Sequence, residues 1–265
     1  MKAIFTTILA ICCAVILIMG QIYWNEKTTV PGNNQAGAVP SRVEKAAPPV
    51  KNKSKRSNSD YINLAGNWPE ASQERFKTTL AEKQPFKILF AGSEALSLED
   101  NGWPILVKEK IEAAYGKTVT VHSIQYGLNS IDFINQESQA EIAAEKADMV
   151  IFEPFTLLDN GVVELNQSLQ NISTIIADIQ AANEHTVIVL QPPHPLYAAR
   201  YYPVQVEELK KYAAQNGITY LDHWAAWPDQ QSEDLKQYLS EDQSRPNEKG
   251  HEVWAGFIED FLIKN

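Results

Sequence analysis

Ser93 stands where a short apolar run, "FKILFA", breaks at Gly92 and turns into a helical-looking stretch. A serine displayed at the carboxyl end of a strand is a candidate nucleophile, and it needs a base within about 3 Å to take its proton. Three of the five histidines, His194, His223 and His251, fall in segments that follow later apolar runs or open the last helix. Each is a candidate base near neutral pH. The same residues also have plain structural readings. Ser93 suits a turn or N-cap, and His251 suits a helix face beside Trp254 and Ile258. A carboxylate pair, Glu94 with Glu153, is raw material for glycosidase-like acid–base work, although nothing in the sequence sets their separation. Tyr197, Tyr201, Tyr202, Trp103, Trp224 and Trp227 lie near the same turns, where rings serve sugar or acyl recognition as readily as core packing.

The elements that must hold these residues alternate. Apolar, β-rich runs at 87–91, 118–124, 148–153, 186–193 and 218–224 are separated by amphipathic helical stretches. The clearest helices run through "WPILVKEKIEAAYG", "VVELNQSLQNISTIIADIQAAN", "QVEELKKYAAQNG" and "EVWAGFIEDFLI". Such alternation predicts a three-layer α/β/α sandwich around a five-stranded parallel sheet, flavodoxin-like in type. In such folds functional groups gather at the carboxyl ends of the strands. That rule selects the turns at Gly92–Glu94, Gly127–Asn129, "PFTLLDNG", "PPHPLY" and "HWAAW", together with "EDQSRPNEKGHEVWA" before the final helix.

Composition narrows the chemistry. Residues 61–265 hold 15 Lys/Arg against 30 Asp/Glu, a formal charge of −15. Phosphate backbones need a basic face, so nucleic acid is not an expected partner. Both cysteines, Cys12 and Cys13, lie near the N-terminus, which leaves the remainder without a thiol nucleophile, a disulfide or a cysteine metal site. No metal-ligand spacing and no cofactor motif is legible.

Taken together, "FAGSEAL", Gly127, "DMVIFEPFTLLDN" and "DQSRPNEKGH" resemble the SGNH/GDSL hydrolase family over roughly residues 85–264. The resemblance implies a serine nucleophile after the first strand, oxyanion donors at Gly127 and Asn160, and an Asp-x-x-His base segment before the last helix. Aligned without a gap, Glu94 takes the nucleophile's place and Arg245 the base's place, while Asp242 and Gly127 match outright. Arg245 stays protonated and cannot serve as a base. A displaced site is then expected from Ser93, His251 and Asp242, with His194 and His223 as rival bases. If the family frame holds, Glu94 and Arg245 should meet as a carboxylate–guanidinium pair.

The rest of the chain is of a different kind. Residues 4–23 carry no charge and are long enough to cross a bilayer, with Tyr23 and Trp24 at interface level. This reads as an uncleaved anchor spanning 1–24; a cleaved signal peptide is the alternative. Lys2 favours a cytoplasmic N-terminus and a domain outside. Residues 25–60 are rich in Pro, Ala, Asn and Lys and read as a linker. The sequence therefore points to a single-pass membrane protein whose 61–265 domain hydrolyses an acyl ester of a cell-envelope glycan, peptidoglycan or lipid. The alternative is a catalytically inactive module of the same fold that binds envelope polymer or a protein partner.

Overall fold

The computed structural model describes residues 56–98 and 102–264. Residues 4–23 lie outside them, and among the described residues no helix is long and apolar enough to cross a membrane. The chain divides into units 1–53 and 54–265, and every described residue belongs to the second.

Five strands form one sheet: β1 (Phe86–Ser93), β2 (Val119–Tyr126), β3 (Met149–Phe152), β4 (Val187–Leu190) and β5 (Thr219–Tyr220). Their order is β2-β1-β3-β4-β5 and every pairing is parallel, as the strand–helix alternation predicts. The α-helices of the described residues are α1 (Asn58–Leu64), α2 (Glu70–Glu82), α3 (Trp103–Tyr115), α4 (Ser130–Asn135), α5 (Gln139–Ala144), α6 (Thr156–Asp159), α7 (Leu165–Ala182), α8 (Tyr202–Gln215) and α9 (Glu248–Leu262). Strand β5 is only two residues long, much shorter than its apolar run, because the chain turns at Asp222 into a 3-10 segment, His223–Ala226. Helices α1 and α2 occupy a stretch that carries no strand or helix reading above. Ser57 caps α1 through a reciprocal capping box with Asp60, so the first described helix begins three residues before Tyr61.

Alternation along the strands sorts their side chains onto two faces. Ile88, Phe90, Met149, Ile151 and Val189 point to one layer, filled by Trp103, Val107 and Ile111 of α3 and by Trp254, Ile258 and Leu262 of α9. Leu89, Ala91, Val150, Phe152, Ile188 and Leu190 point to the other, against Phe133, Ile142, Ile172, Ile175, Ile179 and Leu209. Both strand faces are apolar, which is why the runs read as continuous instead of alternating.

Trp254 joins α9 to the rest. It is fully buried, stacks on Trp103 with ring centroids 5.3 Å apart and on His223 at 4.2 Å, and donates from Nε1 to Gln191 Oε1 at 2.9 Å. Truncation removes that packing and orphans an amide oxygen. Trp254→Ala is expected to destabilise the fold by about 3–5 kcal/mol. Urea unfolding of the full chain followed by circular dichroism checks this; a loss below about 1 kcal/mol contradicts the central role given to the stack.

Candidate active site

The strand ends on the α3/α9 face carry polar groups where the apolar rows run out. The register Ala91–Phe152–Leu190 and the bonds Glu153 N–H to Ala91 O and Gln191 N–H to Phe152 O set Gly92, Glu153 and Gln191 side by side. Glu153 is fully buried, and its carboxyl lies across β1. A Cβ at position 92 would stand 2.7 Å from both the Glu153 carbonyl oxygen and Oε2, so the strand admits only glycine there.

Ser93 ends β1 and caps the 3-10 turn Glu94–Leu96, its Oγ accepting the Ala95 N–H at 3.2 Å. Its own N–H and Oγ both donate to Glu153 Oε2 at 2.8 Å, while Glu153 Oε1 is buried without a partner. Burial pushes the Glu153 carboxyl from its ordinary 4.5 up to about 8, against the opposing pull of the two Ser93 hydrogen bonds. A hydroxyl and a carboxyl that titrates near neutrality thus meet at the strand end on which the sequence places a nucleophile. The general requirement is a base in contact with pKa near working pH.

The histidines are each engaged elsewhere. His251 Nδ1 accepts the Trp103 N–H at 3.3 Å, at the start of α3. His194 Nε2 meets the Ser244 carbonyl at 3.0 Å, which places its proton on that nitrogen and leaves the buried Nδ1 without a partner. His223 donates from Nε2 to Pro192 O at 2.8 Å and accepts at Nδ1 from Trp227 Nε1 at 3.0 Å. Burial depresses the imidazolium forms of His194 to about 4 and of His223 to about 3, so both are neutral near pH 7. Ser93 bonds to Glu153 and to the Ala95 amide, not to a histidine.

The remaining candidates separate. Asp242 organises its own exposed turn, accepting from Ser240 Oγ at 2.5 Å and from Ser244 N–H and Oγ at 3.2 and 2.9 Å. Those bonds, with the Arg245 charge as a lesser cause, hold its carboxyl down at about 2. The Glu94–Arg245 pair expected from the family frame is not among the ion pairs of the described residues. The reason is local. Glu94 lies against Gly127, its Oε1 2.8 Å from where a Cβ would stand, and Arg245 sits in the Ser240–Arg245 turn. Arg245 and His251 line a cleft of about 630 Å3 with Ser97, Ile105 and Leu106. Asn160 lines a different groove, with Tyr201 and Gln205. The pairing of Ser93 with Glu153 was not read from the sequence. Its signal was a glutamate directly after the apolar strand "MVIF", opposite a glycine.

No protein-family model and no curated protein matches the sequence. Solved structures do match. A putative GDSL-like lipase from Parabacteroides merdae superposes with TM-score 0.56 at 12% identity, covering 66% of this chain and 94% of its own. A catalytic mutant of an acetylxylan esterase from Geobacillus stearothermophilus gives 0.54 at 15%, covering 66% and 93%. A carbohydrate esterase family 3 structure from Talaromyces cellulolyticus gives 0.53 at 18%, covering 66% and 95%. The architecture is that of the SGNH/GDSL hydrolases, as the motif frame implies.

The buried groups set a pH dependence. Glu153 keeps a proton on folding that an unfolded glutamate has lost, so its contribution to stability falls as pH rises from 4.5 to about 8. His194 and His223 refuse protons that unfolded histidines take up, so theirs falls as pH drops from 6.5 toward 4 and 3. The three together place a stability maximum near about pH 6.5. Thermal melts across pH 5–9 are expected to peak there, and Glu153→Gln is expected to flatten the alkaline limb. An unchanged alkaline limb in that variant contradicts the assignment.

Proposed function

We propose that the chain is a membrane-anchored, extracytoplasmic ester hydrolase of the SGNH type, acting on an acyl ester of a cell-envelope glycan or lipid. One observation carries the chemistry: Ser93 Oγ donates to Glu153 Oε2 at 2.8 Å on the carboxyl rim of a sheet that similar lipases and esterases share. The apolar run 4–23 and Lys2 support the anchor and its orientation.

In this reading Ser93 Oγ attacks the ester carbonyl carbon while its proton passes to Glu153 Oε2. The bond to the alcohol oxygen breaks, and Glu153 returns the proton to the departing alkoxide. Water then attacks the acyl-serine, again giving its proton to Glu153. The serine leaves with that proton and the acid is released. Glu153 takes the part expected of His251, because it is the group in contact with the hydroxyl. The backbone N–H of Gly127, beside the Ser93–Glu94 turn, is the proposed oxyanion donor. Ser93 is 3% exposed, so the turn at 94–98 must open for an ester to reach it.

That same burial favours a second reading, an inactive binding module in which Ser93 merely caps a turn and Glu94 and Arg245 stand in the places of nucleophile and base. Fluorophosphonate labelling of the purified full chain separates the two. The hydrolase reading expects a covalent adduct on Ser93 that is lost in Ser93→Ala and Glu153→Gln and grows as pH rises through about 8. Absence of label, or label that survives Ser93→Ala, overturns it. The module reading expects no label, and expects p-nitrophenyl ester turnover to appear only when Glu94→Ser and Arg245→His are combined.

A further inference from the structure

Four large apolar side chains are exposed among the described residues: Ile131 at 39%, Val162 at 69%, Tyr201 at 79% and Val204 at 57%. All four stand on segments that follow the carboxyl ends of β2, β3 or β4. Helix α6 packs against both α4 and α8, so these segments adjoin on one rim of the sheet. Tyr201 and Val204 are three residues apart at the start of α8 and share a face of it. Exposed apolar side chains scattered singly need no explanation, but a group gathered on the functional rim does.

The centre of this group is a groove of about 360 Å3 between residues 160–165 and the first turn of α8. Asn160, Val162, Glu164, Leu165, Tyr201 and Gln205 line it. Its polar groups are unspent. Gln205 Oε1 is buried with no hydrogen-bond partner. The side chains of Asn160 and Glu164 and the Tyr201 hydroxyl make no hydrogen bond or ion pair with other described residues. A buried amide oxygen left unpaired costs free energy that a ligand donor restores.

Occupants of different chemistry fit unequally. An acyl chain or a lipid surface would cover Tyr201 and Val162, but it would also desolvate two amides and a carboxylate without offering them partners. An anionic polymer would meet the Glu164 carboxylate and a domain of formal charge −15. A pyranose ring presents C–H groups on its face and hydroxyls around its edge. The face suits the exposed Tyr201 ring, and the hydroxyls suit planar amides that both accept and donate and a carboxylate that accepts.

We propose that this groove is a binding subsite for an uncharged sugar residue, with Tyr201 as its stacking platform and Asn160, Glu164 and Gln205 as partners for its hydroxyls. The proposal rests on the glycan half of the function proposed above, and it does not depend on ester turnover. It also gives Asn160 a place in substrate binding, on the groove side of the rim. The glycan would lie across the strand ends, one residue held at Tyr201 while a substituted neighbour approaches the Ser93 turn.

Isothermal titration of the full-length Ser93→Ala chain in a detergent without a sugar headgroup, with tetra-N-acetylchitotetraose and xylotetraose as probes, tests this without turnover. Saturable binding of at least one probe is expected. Adding Tyr201→Ala should weaken it roughly tenfold, as loss of a seated aromatic anchor does, while Tyr201→Phe should stay within about twofold. Gln205→Leu should weaken it as well. Absence of binding by both saccharides, or affinities indifferent to the Tyr201 ring, overturns the subsite. So does a Tyr201-dependent affinity for dodecylphosphocholine in place of the saccharides, which would assign the rim to lipid. Ring-dependent sugar binding in a chain that takes no fluorophosphonate label would retain the subsite and reject the hydrolase.

Discussion

Glu153 carries a carboxyl into the apolar layer between the sheet and its α3/α9 cover, where no cation pairs with it among the described residues. An isolated buried carboxylate is expensive, and the local structure answers that cost in two ways. The group holds its proton up to about pH 8, and Ser93 turns both its N–H and its hydroxyl toward Oε2. Those two bonds fix how β1 ends, because a serine bound at N and Oγ cannot continue the strand into solvent. The 3-10 turn that follows, the outward Glu94 and its approach to Gly127 all descend from that constraint. Glycine at position 92 is the covalent condition for it.

The cover over this carboxyl is held by aromatic and histidine contacts. Trp103, Trp254 and His223 form a stack, with Gln191 hydrogen-bonded to the central indole and His251 accepting the amide that opens α3. The rings bury large areas, and the Trp254 and His223 ring nitrogens find partners inside the layer, whereas Trp103 Nε1 is buried without one among the described residues. His194 and His223 are kept neutral by burial and make directional hydrogen bonds to backbone carbonyls. His194 bonds to the Ser244 carbonyl of the 240–245 turn, and His223 stacks on Trp254 of α9.

A fold of this type does not settle activity, since sites are grafted onto shared frames. In this chain the groups along the rim fall in three places. A carboxyl–hydroxyl pair lies inside at β1 and β3, a cleft with Arg245 and His251 opens beside α9, and a polar groove floored by Gln205 opens beside α8. Loops after strand ends can carry such differences without disturbing the buried rows beneath them.

The order of strands and helices in residues 86–262 was legible because it depends on local periodicity. Runs such as "MVIF" and "VIVL" and the pairs at 253/254, 257/258 and 261/262 report burial directly. Gly127 and the segment "PNEKGH" likewise marked the rim and the start of α9 through chain-local signals. Helix α1 escaped notice because its cap, Ser57, sits at the end of a Lys- and Asn-rich stretch whose composition reads as linker. The short β5 was overread because an apolar run does not say where the chain leaves the sheet. Ser93 could be singled out from one strand, but its partner could not. That Glu153 and not His251 meets its hydroxyl depends on the parallel register of β1 with β3 and on a missing Cβ at Gly92. Those are distances between segments 60 residues apart in sequence, and only packing the two strands side by side creates them.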